Sequence, residues 1–335
     1  MTDQNAKYFF ENYTHEAAQD FFTLAQSGSA RNNFVGKSST QKYIITKNEN
    51  LAENETFYYF STVFSELELN TPQSFKISLD RTIYVQEFLG AQTLSEIIAK
   101  DGLSTRTKSL IKETLQKLYS LQTKTADAID YSKTFEYETY DELPILNDLF
   151  YFKSFIADDL EIPYHKSALL LEFKKLVSLL ENLEPKGMMI RDFQARNIMV
   201  DENDQVYFID YQSAMKGPLM YDVVSFLFQA KANFPEDFNE EMLDYYFSFW
   251  NDAEKVSLKN SLQPIQLIRF LQVLGAYGFR GLIQQKEHFI LSINQGIKNL
   301  SEFAKSWNEM KNFLKICKDQ ILMFDIKTIS EKTRK

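Results

Sequence analysis

The chain has 335 residues, with 37 Lys and Arg against 46 Asp and Glu, a formal charge of −9. That acidic balance argues against general nucleic-acid binding, which wants a basic footprint. A composition of 44% hydrophobic and 25% charged residues is ordinary globular usage and argues against disorder. One cysteine, Cys317, excludes an intrachain disulfide, and three histidines (His15, His165, His288) leave any metal site dependent on carboxylates. The first residues carry acids where a signal peptide would carry bases, and no apolar stretch approaches the roughly 18 residues of a membrane helix. A cytoplasmic protein with no membrane partner is expected.

Only 10 Gly and 7 Pro punctuate the chain, well below usage of about 7% and 5%, so long helices are expected. An N-terminal helical extension leads into a β-rich stretch, 27–90. There the turn Ser27-Gly28-Ser29 precedes Phe34 and Val35, and Tyr43-Ile44-Ile45-Thr46 reads as a strand. Phe57, Phe60 and Phe64 recur at helical spacing, which predicts an amphipathic helix over 51–67. Phe75-Lys76-Ile77 and Thr82-Ile83-Tyr84-Val85 flank Leu79-Asp80-Arg81, a hairpin. After Gly90 the pattern turns helical, with Leu110, Leu115, Leu118 and Leu121 marking one helix and 169–183 another. A single β-like island interrupts it. Ile198-Met199-Val200 and Val206-Tyr207-Phe208-Ile209 flank the turn formers 201–205, a short hairpin. From Met220 onward the reading is helical, ending in a polar tail over 327–335 that is expected to fray. The expected class is α+β, with a β-rich first lobe (1–88) carrying one helix and a larger helical second lobe (89–335).

The hairpin carries the chemistry. Asp192 sits in a polar loop, Asn197 leads into the first strand, and Asp210 ends the second. A hairpin brings the start of its first strand near the end of its second, so Asn197 and Asp210 meet at one mouth with Asp192 on the loop feeding it. Two carboxylates and an amide are hard ligands that suit Mg²⁺, which leans on substrate phosphates. Phosphoryl transfer needs this set: one acid to orient an acceptor hydroxyl, an amide and another acid to hold the metal. Singly, each of these residues is a common turn or cap former; the combination is what points to a site.

Asp192-x4-Asn197 and Ile209-Asp210 resemble the catalytic loop and metal-binding Asp of the aminoglycoside phosphotransferase/choline kinase-like superfamily. Arg191-Asp192-Phe193-Gln194-Ala195-Arg196-Asn197-Ile198-Met199, the stretch 210–225 and the stretch 269–280 are similar to the bacterial cell-wall amino-sugar kinases, which act on the anomeric hydroxyl of N-acetylmuramate and N-acetylglucosamine. The resemblance implies a two-lobed protein-kinase-like fold, ATP and Mg²⁺. It makes Asp192 the catalytic base and Asn197 and Asp210 the metal ligands, with Arg196 on the transferring phosphate or the sugar. Ile190 departs from the family, which usually carries a histidine there as a scaffold for the loop.

On the nucleotide side the resemblance implies phosphate contacts from Ser29 and Arg31 and a strand lysine, Lys47, paired with Glu53 on the helix. Adenine would meet the backbone at about Glu87 and Leu89. For the acceptor, Asp148, Tyr151, Lys153 and Arg280 are the candidates, an aromatic ring for a sugar's apolar face and charges for hydroxyls or a lactyl carboxylate. A nucleotidyltransferase acting on the product is an implied partner. Alternatives within the fold are a choline, aminoglycoside or homoserine-like kinase, or a pseudokinase scaffold.

Overall fold

Asp3 caps the first helix, α1 (Gln4–Thr14), its carboxylate accepting from the N–H groups of Asn5 and Ala6. The computed structural model describes residues 3–25, 31–162, 164–229 and 232–306. The helix lies on an antiparallel sheet of β1 (Asp20–Thr23), β2 (Asn32–Lys37), β3 (Lys42–Lys47), β4 (Ser74–Ile77) and β5 (Ile83–Glu87), ordered β1-β2-β3-β5-β4. Successive side chains of a strand point to opposite faces. Phe34, Tyr43, Ile45, Ile83 and Val85 therefore share one face and bury against Ala6 and Phe10 of α1. Asn33, Thr46, Tyr84 and Gln86 fall on the other face, where the register sets Asn33 opposite Thr46 and Thr46 opposite Tyr84.

That second face is covered by α2 (Leu51–Glu66), whose Phe57 stacks on Tyr84 with ring centroids 4.7 Å apart. Asn50 caps this helix by accepting from the Glu53 N–H. Buried Asn48 and Asn54 fix its entry: Asn48 Nδ2 donates to Asn54 Oδ1, and Asn54 Nδ2 donates to the Asn48 and Arg81 carbonyls. After β5 the chain passes Gly90, whose φ of +113° suits glycine and where a Cβ would stand 3.0 Å from the Val200 carbonyl oxygen. Then come β6 (Gln92–Thr93), α3 (Leu94–Asp101), opened by a Thr93/Glu96 capping box, and α4 (Thr105–Lys124).

The chain divides into two compact units, one comprising the residues to Glu138 with Ile190–Met215, the other Thr139–Met189 with the chain from Lys216 on. The second unit starts with α5 (Glu142–Phe152), a π-helical turn (Lys153–Asp158), α6 (Lys166–Leu180) and β7 (Lys186–Met189). The chain then returns to the first unit to lay down β8 (Ile198–Val200) and β9 (Val206–Phe208), which join β6 in the order β6-β8-β9. It leaves again through β10 (Met215–Pro218), paired with β7. Helices α7 (Met220–Leu227), α8 (Glu236–Phe247), α9 (Asp252–Gly278) and α10 (Glu287–Ser306) follow, with a π-helical turn (Phe279–Ile283) after α9. Gly275 and Gly278 let α9 approach α5 and its π-turn backbone to backbone: a Cβ on Gly275 would lie 2.8 Å from the Phe152 nitrogen.

The mixed α and β content, the two sheet hairpins and the helix over 51–67 agree with the sequence reading. Three features differ. The edge strand β1 is largely exposed and carries no alternation to read. Strand β6 is two residues long, too short for any periodic signal. The hairpin is not the only β island after Gly90, because β7 is Lys186-Gly187-Met188-Met189, a short run buried at its last three positions that resembles the end of a helix. The compact units also run differently from the 88/89 boundary, which follows the end of the five-stranded sheet. Ser27–Ala30, Cys317 and the 327–335 tail lie outside the described residues.

Candidate active site

Pairing of Ile198 with Phe208 brings the residues before β8 beside those after β9, and the Ile209 N–H donates to the Asn197 carbonyl at 3.0 Å. A single 3₁₀ turn, Ala195–Asn197, turns the chain into the hairpin. From it the Asn197 amide, nearly buried, donates Nδ2 to the Asp192 backbone carbonyl at 2.9 Å and to Asp210 Oδ2 at 3.4 Å. One amide thus links the backbone of Asp192 to the carboxylate of Asp210. Arg191 and Asp210 both have left-handed backbones, with φ of +72° and +64°, conformations uncommon outside glycine. Arg191 is also held by Glu136 at 3.4 Å. Ile190 and Phe193 are buried, the Phe193 ring edge-on to Phe208 at 4.8 Å. Apolar packing therefore anchors this loop where a histidine scaffold is absent.

Each acid has its own partners. Asp192 accepts from Gln194 Nε2 at 2.7 Å on one oxygen and from Arg196 Nη2 at 2.9 Å on the other. Asp210 accepts from Gln212 Nε2 at 2.9 Å and forms an ion pair with Arg31. Burial alone would raise the Asp210 carboxyl, but Arg31, the Gln212 hydrogen bond and the charge of Arg196 hold it below the usual carboxylate range. Burial likewise opposes the charge on Arg31, and Asp210, Tyr84 and Glu53 outweigh it, keeping the guanidinium firmly protonated. Arg31 Nε lies 3.4 Å from Glu53 Oε1, and Asn48 Nδ2 donates to the other Glu53 oxygen at 2.9 Å. Just beyond Asp210, fully buried Tyr211 stacks on Phe57 at 5.3 Å and shares a 2.8 Å hydrogen bond with Ser61, both on α2.

Asp192, Asn197 and Asp210 come together as expected, and Arg196 pairs with Asp192. Lys47 does not meet Glu53. Its parity puts it on the α1 face, where Nζ reaches Asp3 at 2.9 Å and Glu49 at 3.9 Å; Thr46 takes the inner-face position and donates to Asn33 at 2.7 Å. Ser29 lies outside the described residues. The Glu87 N–H, one of the backbone groups expected to meet adenine, donates to the Gln73 carbonyl at 2.9 Å. A cavity of about 480 Å³ lined by Gln41, Lys42, Phe75, Glu87, Phe88 and Glu202 touches this stretch but not Asp192, Asn197 or Asp210.

In the second unit Asp148 is a correction. It is buried and accepts from the Tyr140 hydroxyl at 2.9 Å, so it braces the core instead of facing a sugar. Lys153 is engaged by Asp158 at 2.6 Å, and Arg280 lies over the Phe289 ring at 5.2 Å. Tyr151 belongs to a half-buried group with Phe155 (4.7 Å) and Phe279 (5.8 Å), built where the two π-helical turns occur. Gln194, Gln212, Phe155 and Phe279 were not legible in advance, although the offset of two residues from each acid to its glutamine is a usable local signal.

Asn197 and Asp210 offer oxygens to a small hard cation, and the Asp210 carboxylate is held ionised. No group of three or more His, Cys, Asp or Glu that could hold a metal ion occurs among the described residues. The donor set fits a cation that takes its remaining ligands from phosphate and water. No helix among the described residues is long and apolar enough to cross a membrane.

The chain is 27% identical over 195 residues to an N-acetylmuramate/N-acetylglucosamine kinase of Neisseria meningitidis serogroup B (strain ATCC BAA-335 / MC58), a match covering 57% of this chain and 54% of that protein. It thus spans about half the length of that relative. Its fold is similar to that of a choline kinase from Streptococcus pneumoniae (TM-score 0.61, 15% identity, 89% of this chain and 100% of the other). It is similar as well to an AMP-bound spectinomycin phosphotransferase (TM-score 0.65, 13% identity, 92% and 99%). A model of the phosphotransferase enzyme family matches residues 23–258, more than half of the sequence and the whole of the hairpin that unites Asp192, Asn197 and Asp210, so the chain belongs to that family of phosphotransferases.

Proposed function

We propose that the protein is an ATP- and Mg²⁺-dependent kinase that transfers a γ-phosphate to the anomeric hydroxyl of N-acetylmuramate or N-acetylglucosamine. The observation that carries the kinase reading is the single Asn197 amide joined to both Asp192 and Asp210. The sugar assignment draws on the similarity to the Neisseria kinase. Asp192 accepts the proton of the attacking hydroxyl, and Gln194 and Arg196 hold its two oxygens in place. Asn197 and Asp210 are the protein's ligands to Mg²⁺, which when bound neutralises charge developing on the phosphates. Arg196, whose charge also acts on Asp210, lies where it can offset the charge of the transferring group. Adenine is held by backbone groups at Glu87 and Leu89, with phosphates at the segment before β2. Tyr151, with Phe155 and Phe279, offers ring faces to the acceptor, and Arg280 a charge for a lactyl carboxylate. The enzyme works in the cytoplasm, and its sugar 1-phosphate is the kind of product a nucleotidyltransferase consumes.

The test is a panel of amino sugars, choline, aminoglycosides and homoserine incubated with ATP and Mg²⁺, with the product read by ³¹P NMR. A sugar 1-phosphate from the free sugar, and none from its methyl glycoside, is the expected outcome. Phosphorylation of the glycoside moves the acceptor to another hydroxyl. Turnover of choline alone makes the protein an amino-alcohol kinase.

A further inference from the structure

Strand parity leaves the inner face of β3 without a usable cation beside the acids. Lys47 faces α1, and the inner-face position next to it is Thr46. Lys37 and Lys42 do share the inner parity, but the register sets them opposite each other at the far end of their strands, where Lys42 lies over Phe88. Arg31 has the same parity as Asn33 and precedes β2 at the end where Asn33 meets Thr46. Its guanidinium touches Glu53 on α2 through Nε and Asp210 at the hairpin mouth through Nη2. Two carboxylates so close to one point would repel a nucleotide's phosphates unless a fixed positive charge stood between them. A guanidinium is suited to that position, because it stays charged and its planar fork binds phosphate oxygens in pairs.

We propose that Arg31, reaching in from the start of β2, is the cation that binds the nucleotide's phosphates, and that Glu53 and Asp210 hold it in position for that task. The inference rests on the nucleotide-binding reading above, and it assigns to a residue outside β3 the work expected of Lys47. Arg31 then has two effects. It contributes phosphate affinity directly, and it ties the start of α2 to the metal-binding acid, so that nucleotide binding is felt by both elements.

The experiment separates direct phosphate contact from bracing of Asp210 by leaving out divalent cations. Binding of adenosine, AMP and ADP is measured calorimetrically in EDTA for the wild type, Arg31→Met, Arg31→Lys and Lys47→Met, with circular dichroism checking each fold. The wild type is expected to bind ADP more tightly than adenosine. Arg31→Met should lose about 10- to 100-fold for ADP, the range for a hydrogen bond to a charged group, with adenosine unchanged. Arg31→Lys, which keeps the charge and tests the idea if the Met variant does not fold, should lose a smaller part of that preference. Lys47→Met should keep the wild-type preference. A preference for ADP that survives in both Arg31 variants, or that disappears in Lys47→Met, overturns the assignment while leaving the kinase reading intact. A wild type that binds neither adenosine nor ADP removes the nucleotide reading itself, and this proposal with it.

Discussion

Asp192 divides its two oxygens between Gln194 and Arg196, while half-buried Asp210 is committed to Arg31 and Gln212. The proposed function gives the two acids different tasks, and substitution should separate them. Asp192→Asn keeps shape and hydrogen bonding but cannot take a proton. General-base contributions run about 10² to 10⁴-fold, so kcat should fall by that order with nucleotide Kd nearly unchanged. A kcat within about threefold of wild type would reduce Asp192 to a turn residue. Asp210→Asn removes a charge from the proposed metal site and should lower turnover about a thousandfold or more, an effect of several kcal/mol on the barrier. Steady-state rates over a Mg²⁺ titration check this, and near-normal turnover at saturating Mg²⁺ would count against the site. The trio of Asp192, Asn197 and Asp210 was legible in the sequence because a hairpin is local: its strand lengths and turn dictate which residues meet at its mouth. The Arg31 contact was not, since its partner Asp210 lies 179 residues away and no local pattern reports such a meeting. The pairing of Lys47 with Glu53 fails on strand parity, because Lys47 shares the Ile45 face that packs against α1.

At the scale of elements, α1 seals the outer face of the sheet through Ala6 and Phe10, both fully buried. Phe10→Ala should cost about 3–5 kcal/mol, the usual range for emptying a buried aromatic site, read as a fall in the denaturant midpoint. A loss below about 1 kcal/mol would mean that α1 is a loosely attached arm. Helix α6 offers a pH test. Burial pushes the Glu172 carboxyl up to about 7, with Lys175 pulling the other way. A folded-state value above the unfolded one means that the stability is complete below about pH 4.5 and declines as pH rises through 7. Glu172→Gln removes that decline. The variant should be the more stable protein at pH 8, by about 1 kcal/mol once the half-exposed position is discounted for solvent screening, and should show no advantage at pH 4. Thermal melts at the two pH values decide it; an equal offset at both would trace the effect to something other than ionisation. Amphipathic α2 and the β4–β5 hairpin were readable because each has a complete local period. Strands β6, β7 and β10 were not, because pieces of two to four residues pair only with partners far along the chain.

Over the whole molecule the units are interleaved in sequence: the chain leaves the first at Glu138 and returns to it only at Ile190. In the sequence the strand pattern gives way to a helical one after Gly90. Periodicity carries no information about which helices later gather around a sheet, and so α3, α4 and the hairpin could not be assigned to the first unit in advance. The stacking of Tyr211 on Phe57 sets an order of events in synthesis. When the first 138 residues have been made, α2 exists but the ring that closes over Phe57, and the hydroxyl that meets Ser61, are still unmade. At about 5–20 residues per second the ribosome needs several seconds more to cross 139–189 and deliver the hairpin. Until then α2 keeps an uncovered aromatic surface. Fragment 1–189 should therefore be cut within α2 by a protease that leaves the full chain intact, and it is the newborn chain, not the finished enzyme, that has most need of a chaperone.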